Sequence, residues 1–557
     1  MGGLNGTARA EAAPVLKVSG YSLSYRLATG RLQALKDVNL TVDRGKTLGL
    51  VGESGSGKSS LAWAILRYLP GNAEENDGRI LLSGENLRTM APEEILEIRG
   101  QRISMVFQDP STSLNPTMRL GEQLAEVLIR HRGLSQQEAW EEGKEALNRT
   151  GITHPAEMMR RYPHEASGGE KQRVVIATAF ACNPELIVFD EPTTALDVIT
   201  AHQILDLFRR LRDETGVAAL YISHDLGLVS RVADDVAVIN AGAIVEAGPC
   251  ARVFKEPRDP YTRSLLDAVP QPTIWLGTKR SKQNTEPLLS TSGVTVEYGR
   301  QSRMGRLLTL KPTFLGARDV SLAIREGELL GLVGESGSGK STMAKVLSGL
   351  QDFDGTVGFQ GRSFDGRREI DRNYRRAVQI VFQHPDASLN PRQRVGEILS
   401  RPLLLYDMVP KEQRTRRIEE LLADVRLPAE FARRFPHQLS GGEKQRVAIA
   451  RAFAAEPALV ICDEITASLD VSVQASVARL LADLQRQTGT ACLFITHDLN
   501  LVRQLAHRIC VMQHGELVDS FDRDDAETPD RHPYTQALLA AVPPPATESI
   551  KPALETI

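Results

Sequence analysis

Short runs of Val, Ile and Leu alternate along this chain with stretches that have the apolar spacing of helices. The runs end in Gly, Asp or His, as in KTLGLVG, RISMVFQ, ELIVFDE and VAALYIS. An apolar run without polar alternation is typical of a strand buried on both faces, which occurs mainly in parallel sheets covered by helices. The pattern therefore predicts an α/β fold whose functional residues gather at the carboxyl ends of the strands.

Four segments of the chain occur twice in the same order. They are VGESGSGKS followed by Ser or Thr, SGGEKQRV, an apolar run ending in DE, and a run ending in HDL. The copies lie 282 residues apart at the lysines (340 minus 58) and 273 apart at the aspartates (463 minus 190). Because the offset then stays constant through the HDL segments, the later half of each copy forms one scaffold without net insertion, and the earlier loops vary.

This duplication predicts two domains, as does the length of 557 residues, since single cores stop growing near about 250 residues. The polar segment QPTIWLGTKRSKQNTEP separates the copies and reads as a short linker. The predicted organisation is a loose N-terminus (1–13), domain 1 (14–270), a linker (271–286), domain 2 (287–544) and a C-terminal tail (545–557).

Composition narrows the classes of function. Apolar content of 41% and charged content of 25% are typical of a globular protein that stays in water. No apolar run reaches the roughly 18 to 20 residues of a bilayer-spanning helix, so we expect no membrane span, and we expect no export signal or lipid anchor. A net charge of -3 does not support nucleic-acid binding, and the 5 scattered cysteines read as reduced core residues.

Each copy contains the phosphate-loop motif G-x-x-x-x-G-K-S between a strand and a helix. Its glycines let backbone amides surround phosphates, and its lysine (Lys58 or Lys340) reaches the terminal phosphates. Ser59 and Ser341 are candidate magnesium ligands. The predicted nucleotide-binding residues of the two loops are Gly52, Glu53, Ser54, Gly55, Ser56, Gly57, Lys58, Ser59 and Ser60, and Gly334, Glu335, Ser336, Gly337, Ser338, Gly339, Lys340, Ser341 and Thr342.

Side chains at three further strand ends complete a hydrolytic set. An aspartate suits a second magnesium contact, and the glutamate after it suits a base that positions the attacking water. A histidine at the next strand end is a candidate sensor of the terminal phosphate, and a glutamine before a Pro- and Asn-containing loop can touch magnesium or the water. The candidates, in pairs, are Asp190 and Asp463, Glu191 and Glu464, His224 and His497, and Gln108 and Gln383.

With ASGGEKQR and LSGGEKQR as its signature sequences, the chain resembles the ATP-binding cassette superfamily over nearly its whole length. The resemblance implies two tandem cassettes, each with a mainly parallel sheet, an antiparallel β part and a helical signature subdomain. It implies that each ATP, with Mg²⁺, lies between the phosphate loop of one cassette and the signature of the other. Further residues implied to bind nucleotide are Ser167, Gly168, Gly169, Glu170, Ser440, Gly441, Gly442 and Glu443, the coupling aspartates Asp197 and Asp470, and the adenine-stacking Tyr25 and Tyr298.

A narrower resemblance rests on QDPSTSLNP and QHPDASLNP together with RDPYTRSLLDAVP and RHPYTQALLAAVP. These segments are similar to those of the ATPases of bacterial oligopeptide, dipeptide and nickel importers. The resemblance implies two permease subunits, received by the loops after Gln108 and Gln383, a substrate-binding protein, and a place at the cytoplasmic face of the inner membrane. Many relatives carry an iron-sulphur centre after this segment, but neither copy has cysteines there, so we expect no cluster.

Two other functions stay open at this point. One is a tandem cassette that acts on ribosomes or DNA, although such chains resemble this one only in the signatures and carry a long charged linker or zinc ligands. The other is the motor of an exporter, because the catalytic motifs do not set the direction of transport. The transported solute is not predicted, since the motor contacts the permease and not the solute.

Overall fold

The computed structural model describes residues 13–28, 30–194, 196–277, 286–299, 314–467 and 469–542. The chain divides into two compact units, with the boundary between Val269 and Pro270 and the second unit ending at Val542. Each unit contains a six-stranded, mostly parallel sheet and a separate antiparallel sheet. The predicted fold class, an α/β core with an antiparallel β part in each of two domains, is confirmed.

The six-stranded sheet of the first unit is parallel except at one edge, where the last strand pairs antiparallel with its neighbour. Its strands in spatial order are Ala243–Pro249, Asp235–Asn240, Thr47–Val51, Ala218–Ser223, Leu186–Asp190 and Ile103–Val106. Successive side chains of a strand point to opposite faces. Accordingly Leu186 and Val188 join one apolar core, whereas Ile187 and Phe189 join another. Burial on both faces explains why the sequence of these strands is apolar throughout.

The antiparallel sheet and the helices of the first unit surround this core. The antiparallel sheet consists, in spatial order, of Gly30–Val42, Leu16–Leu27, Ala73–Leu82 and Glu85–Asn86. The α-helices are Lys58–Ile65, Pro92–Gln101, Pro110–Ser113, Leu120–Arg132, Gln136–Arg149, Pro155–Met158, Gly168–Phe180, Val198–Thr215, Leu226–Val232, Cys250–Lys255 and Pro260–Ala268. The helices between residues 110 and 180 lie between two neighbouring strands in the sequence and make up the helical part that carries the signature.

The second unit repeats this architecture. Its six-stranded sheet runs, in spatial order, Val378–Val381, Leu459–Asp463, Ala491–Ile495, Leu329–Val333, Arg508–Gln513 and Glu516–Asp522. Its antiparallel sheet runs Phe314–Val320, Pro287–Tyr298, Asp354–Phe359 and Arg362–Phe364, with Ala323–Arg325 also paired to Pro287–Tyr298. Its α-helices are Lys340–Leu347, Arg372–Ala377, Pro385–Ser388, Val395–Leu405, Arg414–Asp424, Gly441–Phe453, Val471–Thr488, Leu499–Leu505 and Pro533–Ala541.

The start of the predicted linker is held on the second unit. The Trp275 ring meets the His507 ring edge-on, with 5.8 Å between centroids, and the Arg523 guanidinium lies 5.0 Å from the centroid of Trp275. The backbone N–H of Leu276 donates to the carbonyl of Gln504 at 2.8 Å. An edge-on ring contact, a cation near the indole ring and a backbone hydrogen bond together fix this segment, although its composition is polar.

Among the residues that the structure describes, no helix has both the length and the apolar character needed to cross a bilayer.

Candidate active sites

The phosphate loop of each unit connects the central strand of the six-stranded sheet to the helix that begins at its lysine. Gly57 and Gly339 precede these helices and have φ values of 109° and 105°. A Cβ atom on Gly57 would lie 2.8 Å from the carbonyl oxygen of Ala34, and one on Gly339 would lie 2.5 Å from that of Gly316. Only glycine combines this backbone conformation with so close an approach of another chain segment.

The two phosphate-loop lysines are buried and point back along their own loops. The Lys58 ammonium donates to the carbonyls of Gly52 and Glu53 at 2.7 and 2.8 Å. In the second unit the Lys340 ammonium donates to the carbonyls of Gly334 and Glu335 at 2.8 and 2.7 Å. The loop therefore holds a positive charge at the helix N-terminus, where the backbone amides also favour an anion.

A hydroxyl and a carboxylate meet where the phosphate-loop helix begins beside the strand-end aspartate. The Ser59 Oγ donates to Asp190 Oδ1 at 3.4 Å, and Ser341 Oγ donates to Asp463 Oδ1 at 3.0 Å. Burial raises the pKa of both aspartates, while the hydrogen bond from the serine partly opposes the rise. Neighbouring hydroxyl and carboxylate oxygens are the ligands that Mg²⁺ prefers, so these residues fit the predicted metal contact.

In the first unit, Glu191 lies at the centre of a polar cluster. Its carboxylate accepts a hydrogen bond from Gln108 Nε2 at 3.0 Å, and its other oxygen lies 3.1 Å from His224 Nδ1. Burial alone would raise the pKa of Glu191, but the hydrogen bond and charge of His224, with the charge of Lys58, outweigh burial and lower it. Glu191 is thus held as a carboxylate, the form that can accept a proton from water.

The second unit brings together the equivalent glutamine and glutamate. Gln383 Nε2 donates to Glu464 Oε2 at 2.8 Å. The histidine differs, because no ion pair within 4.0 Å joins His497 to Glu464 in the described part of the chain. The sequence predicted identical sets, and the structure shows the same groups with one contact made only in the first unit.

Both glutamates have a backbone conformation that side chains other than glycine rarely adopt. Glu191 has a φ of 49° and Glu464 a φ of 48°, in the left-handed region. Each is held there by its backbone N–H, which donates at 2.9 Å to a carbonyl on the neighbouring strand, Ile222 or Ile495. Such conformations cost about 1–3 kcal/mol and occur at functional sites.

The signature serines begin the helices Gly168–Phe180 and Gly441–Phe453. Ser167 Oγ accepts from the backbone N–H of Glu170 at 3.3 Å, and the Glu170 carboxylate accepts from the backbone N–H of Ser167 at 2.8 Å. Ser440 and Glu443 repeat both bonds. In the structure these four side chains cap the helices reciprocally, and their role toward nucleotide stays a prediction.

The coupling aspartates and adenine-stacking tyrosines are placed as follows. Asp197 caps the helix Val198–Thr215 by accepting from the backbone N–H of Thr200 at 2.9 Å, and Asp470 precedes the equivalent helix. Tyr25 OH donates to Ser60 Oγ at 3.1 Å, and Tyr298 OH lies 3.1 Å from Thr342 Oγ1. Each tyrosine therefore adjoins the end of its own phosphate loop, which is compatible with the predicted contact to adenine.

The first unit also contains a groove that the sequence did not reveal. It has a volume of about 910 Å³ and lies between the end of the phosphate-loop helix, the loop after Gln108 and the signature helix. Its rim presents Trp63, Tyr68 and Phe107, which are 38%, 70% and 44% exposed. Exposed aromatic side chains around a concave surface are typical of a protein-binding site. Trp63 is the exposed residue of the helix Lys58–Ile65, whose other residues are buried or half-buried.

Comparison with known proteins agrees with this arrangement. The ABC transporter family matches residues 35–194 and 317–467, and the oligopeptide/dipeptide transporter C-terminal region matches residues 245–293. The glutathione import ATP-binding protein GsiA of Salmonella paratyphi A is 38% identical over 563 residues, or 95% of this chain and 89% of its own length. The proteins of the same name from Pectobacterium atrosepticum and Escherichia coli K12 are 38% and 37% identical, over 95% and 96% of this chain and 89% and 90% of their own lengths.

These matches span both units and include the phosphate loops and the strand-end carboxylates of each. The predicted family and the predicted ATPase activity are confirmed. The chain belongs to the ABC transporter family, as an ATP-hydrolysing subunit of the oligopeptide-importer type.

Proposed function

We propose that this chain is the motor of an importer that carries glutathione or another short peptide, with both units hydrolysing ATP. One observation carries the proposal: an oligopeptide-transporter region follows a unit with a complete catalytic set, in a chain whose other unit repeats that set. The names of the relatives, all glutathione import ATP-binding proteins, indicate the solute class.

Two ATP molecules are proposed to bind between the units, each shared by the phosphate loop of one and the signature of the other. Lys58 then works with Ser440, and Lys340 with Ser167. The serine hydroxyls and the N-terminal amides of their helices supply donors for a terminal phosphate, since a helix N-terminus favours an anion. In this arrangement ATP joins the two units, and its hydrolysis separates them.

Hydrolysis transfers the terminal phosphoryl group of ATP to water. The water oxygen bonds to the γ-phosphorus as the bond between that phosphorus and the bridging oxygen of ADP breaks. The water proton passes to Glu191 or Glu464, and the glutamate later transfers this proton to the phosphate product. The glutamine at 3.0 or 2.8 Å orients each carboxylate. Ser59 with Asp190, and Ser341 with Asp463, are proposed to hold Mg²⁺, which neutralises phosphate charge when bound.

The groove beside Gln108 is proposed to receive a helix from one permease subunit, and the loop after Gln383 a helix from the other. Trp63, Tyr68 and Phe107 provide the aromatic contact area that anchors such interfaces. A substrate-binding protein delivers the solute on the far side, and the chain lies at the cytoplasmic face of the inner membrane. ATP binding and hydrolysis then bias the permease between outward and inward access.

Uptake measured in reconstituted vesicles tests the proposal. The chain is assembled with the permease pair and the substrate-binding protein encoded near its gene, and ATP is enclosed on the side of the chain. We expect ATP-dependent accumulation of labelled glutathione or of a dipeptide or tripeptide from a panel. Assembly without uptake of any panel member would contradict the solute class, and efflux would contradict the direction.

The matched control is the chain with Glu191→Gln and Glu464→Gln, which keeps the size of both side chains and removes the base. It should assemble with the permease pair and support no uptake. Uptake by this variant at the wild-type rate would show that the glutamates are not the bases.

A further inference from the structure

In each unit, an α-helix C-terminal to the edge strand of the six-stranded sheet carries a tyrosine that contacts the phosphate loop of the same unit. In the first unit Tyr261, on the helix Pro260–Ala268, accepts a hydrogen bond at its hydroxyl from the backbone N–H of Glu53 at 3.1 Å. In the second unit Tyr534, on Pro533–Ala541, accepts one from Glu335 at 2.9 Å. The same contact therefore forms twice, between residues 208 and 199 positions apart.

The N–H group that donates to each tyrosine belongs to a peptide group whose carbonyl accepts a hydrogen bond from the phosphate-loop lysine. The N–H of Glu53 and the carbonyl of Gly52 are the two ends of one planar peptide group. That carbonyl accepts from the Lys58 ammonium at 2.7 Å. In the second unit the carbonyl of Gly334 accepts from Lys340 at 2.8 Å. The tyrosine and the lysine thus form hydrogen bonds to opposite ends of one peptide group. The orientation of that peptide group sets the position of the lysine ammonium.

A buried carboxylate on the edge strand fixes the helix that carries the tyrosine. Glu246 accepts from the backbone N–H groups of Arg258 and Asp259, both at 3.1 Å, and Asp259 accepts from the N–H of Tyr261 at 2.8 Å. Burial alone would raise the pKa of Glu246, but these backbone hydrogen bonds outweigh it and lower the pKa. The carboxylate is therefore charged and anchors the helix start.

The second unit builds the same connection from different residues. Asp519 accepts from the backbone N–H of His532 at 3.0 Å and from Arg531 Nη1 at 3.2 Å. His532 Nδ1 accepts from the N–H of Tyr534 at 3.2 Å. Since the strand carboxylate and the cap differ while the tyrosine contact is the same, the contact to the phosphate loop is the feature that both units share.

We propose that Tyr261 and Tyr534 are positioning residues of the two ATP sites: each hydroxyl fixes the peptide group that places the phosphate-loop lysine. The helix Pro260–Ala268, which lies within the match to the oligopeptide/dipeptide transporter C-terminal region, is in this way connected to the nucleotide site. The inference concerns ATP hydrolysis alone and does not depend on the solute carried.

Phenylalanine at these positions removes the hydroxyl and keeps the ring. In Tyr261→Phe and Tyr534→Phe the peptide group loses its hydrogen bond to the tyrosine hydroxyl, so a smaller fraction of loops is ready to bind ATP. Apparent affinity falls in proportion to that fraction. The loss of one neutral hydrogen bond predicts a rise in KM for ATP of about three- to tenfold in each variant, with kcat within about twofold of wild type. The double variant should show the larger rise.

Tyr406→Phe is the matched control. Its hydroxyl donates to the carbonyl of Arg375 at 3.2 Å, away from both sites. This variant also loses a hydrogen bond between a tyrosine hydroxyl and a backbone group, and we expect its KM for ATP to equal that of wild type.

Hydrogen exchange separates positioning from simple stabilisation. The amides of Glu53 and Glu335 should exchange faster in the corresponding phenylalanine variants, under conditions where the strand amides of the central sheet stay protected. An unchanged KM together with a lowered melting temperature would overturn the inference. These measurements use the purified chain, so failure of peptide uptake with the permease leaves them standing.

Discussion

The two units have the same polar contacts at the strand ends and different exposed residues beside the phosphate-loop helix. In both, a serine contacts the strand-end aspartate and a glutamine donates to the glutamate. On the phosphate-loop helix and in the turn after it, however, Trp63 and Tyr68 of the first unit correspond to Lys345 and Leu350 of the second, at the same 282-residue offset as the lysines (345 minus 63, 350 minus 68).

This difference separates residues that are kept the same in both units from surface residues that are free to differ. Residues that handle ATP must fit the same molecule in both units. The groove-lining residues need not match, and an aromatic rim prefers an apolar helix, whereas an exposed lysine prefers a helix with an acidic residue. In the proposed assembly, this difference would let each unit receive a different permease segment.

The largest effect should come from the glutamates, where the comparison predicts equality. If both ATP molecules lie at one interface, an unhydrolysed ATP at either site keeps the units together. We therefore expect Glu191→Gln, Glu464→Gln and the double variant each to lose about a hundredfold or more of steady-state ATPase activity. A single variant that retains half of the wild-type rate would show that the sites work separately.

A smaller effect is expected at the groove, where the comparison predicts inequality. Trp63→Ala and Tyr68→Ala should weaken association with the permease pair by about tenfold each, because buried aromatic anchors contribute about 1–3 kcal/mol. The matched variants Leu350→Ala and Lys345→Ala should weaken it less. Titration of detergent-solubilised permease measures the affinities, and the ATPase activity of the free Trp63→Ala, Tyr68→Ala and Leu350→Ala chains should be unchanged. Equal losses in both units would break the proposed asymmetry.

The smallest effect concerns pH. His224 lowers the pKa of Glu191, so the stabilisation that this contact provides is present above the ordinary glutamate range and is lost as pH falls through the lowered pKa. His224→Ala should raise the pKa of Glu191 and move the acid limb of the residual ATPase profile to higher pH. His497→Ala should move that limb less, because no contact of this kind joins it to Glu464 in the described residues. Identical displacements would contradict the difference.

Much of the fold and of the site could be predicted from sequence because both depend on local patterns. The strand Leu186–Asp190 is apolar on both faces, and its polar end fixes where Asp190 and Glu191 lie. The phosphate loop is defined by glycines at fixed spacing, so the sequence pattern alone predicts its residues. The second copy repeats each of these residues, which supports the assignments.

Contacts between distant side chains could not be predicted in this way. The residues around Tyr261 do not indicate that its hydroxyl contacts Glu53, because the contact depends on how the edge strand and the following helices pack. The polar residues around Trp275 predict a linker, yet the Trp275 ring contacts His507 and Arg523 of the second unit. The contact between His224 and Glu191 could not be predicted either, because both copies have the same histidine and only the first makes this contact.

The left-handed backbone at Glu191 and Glu464 has a consequence for anyone who engineers this enzyme. Glycine or asparagine would fit φ values near 50° with less strain, so a library sorted for heat resistance should enrich them at both positions. If the two glutamates are the proposed bases, the more stable variants so obtained would no longer hydrolyse ATP. Thermostability campaigns on this scaffold must therefore hold these two codons fixed or select for turnover at the same time.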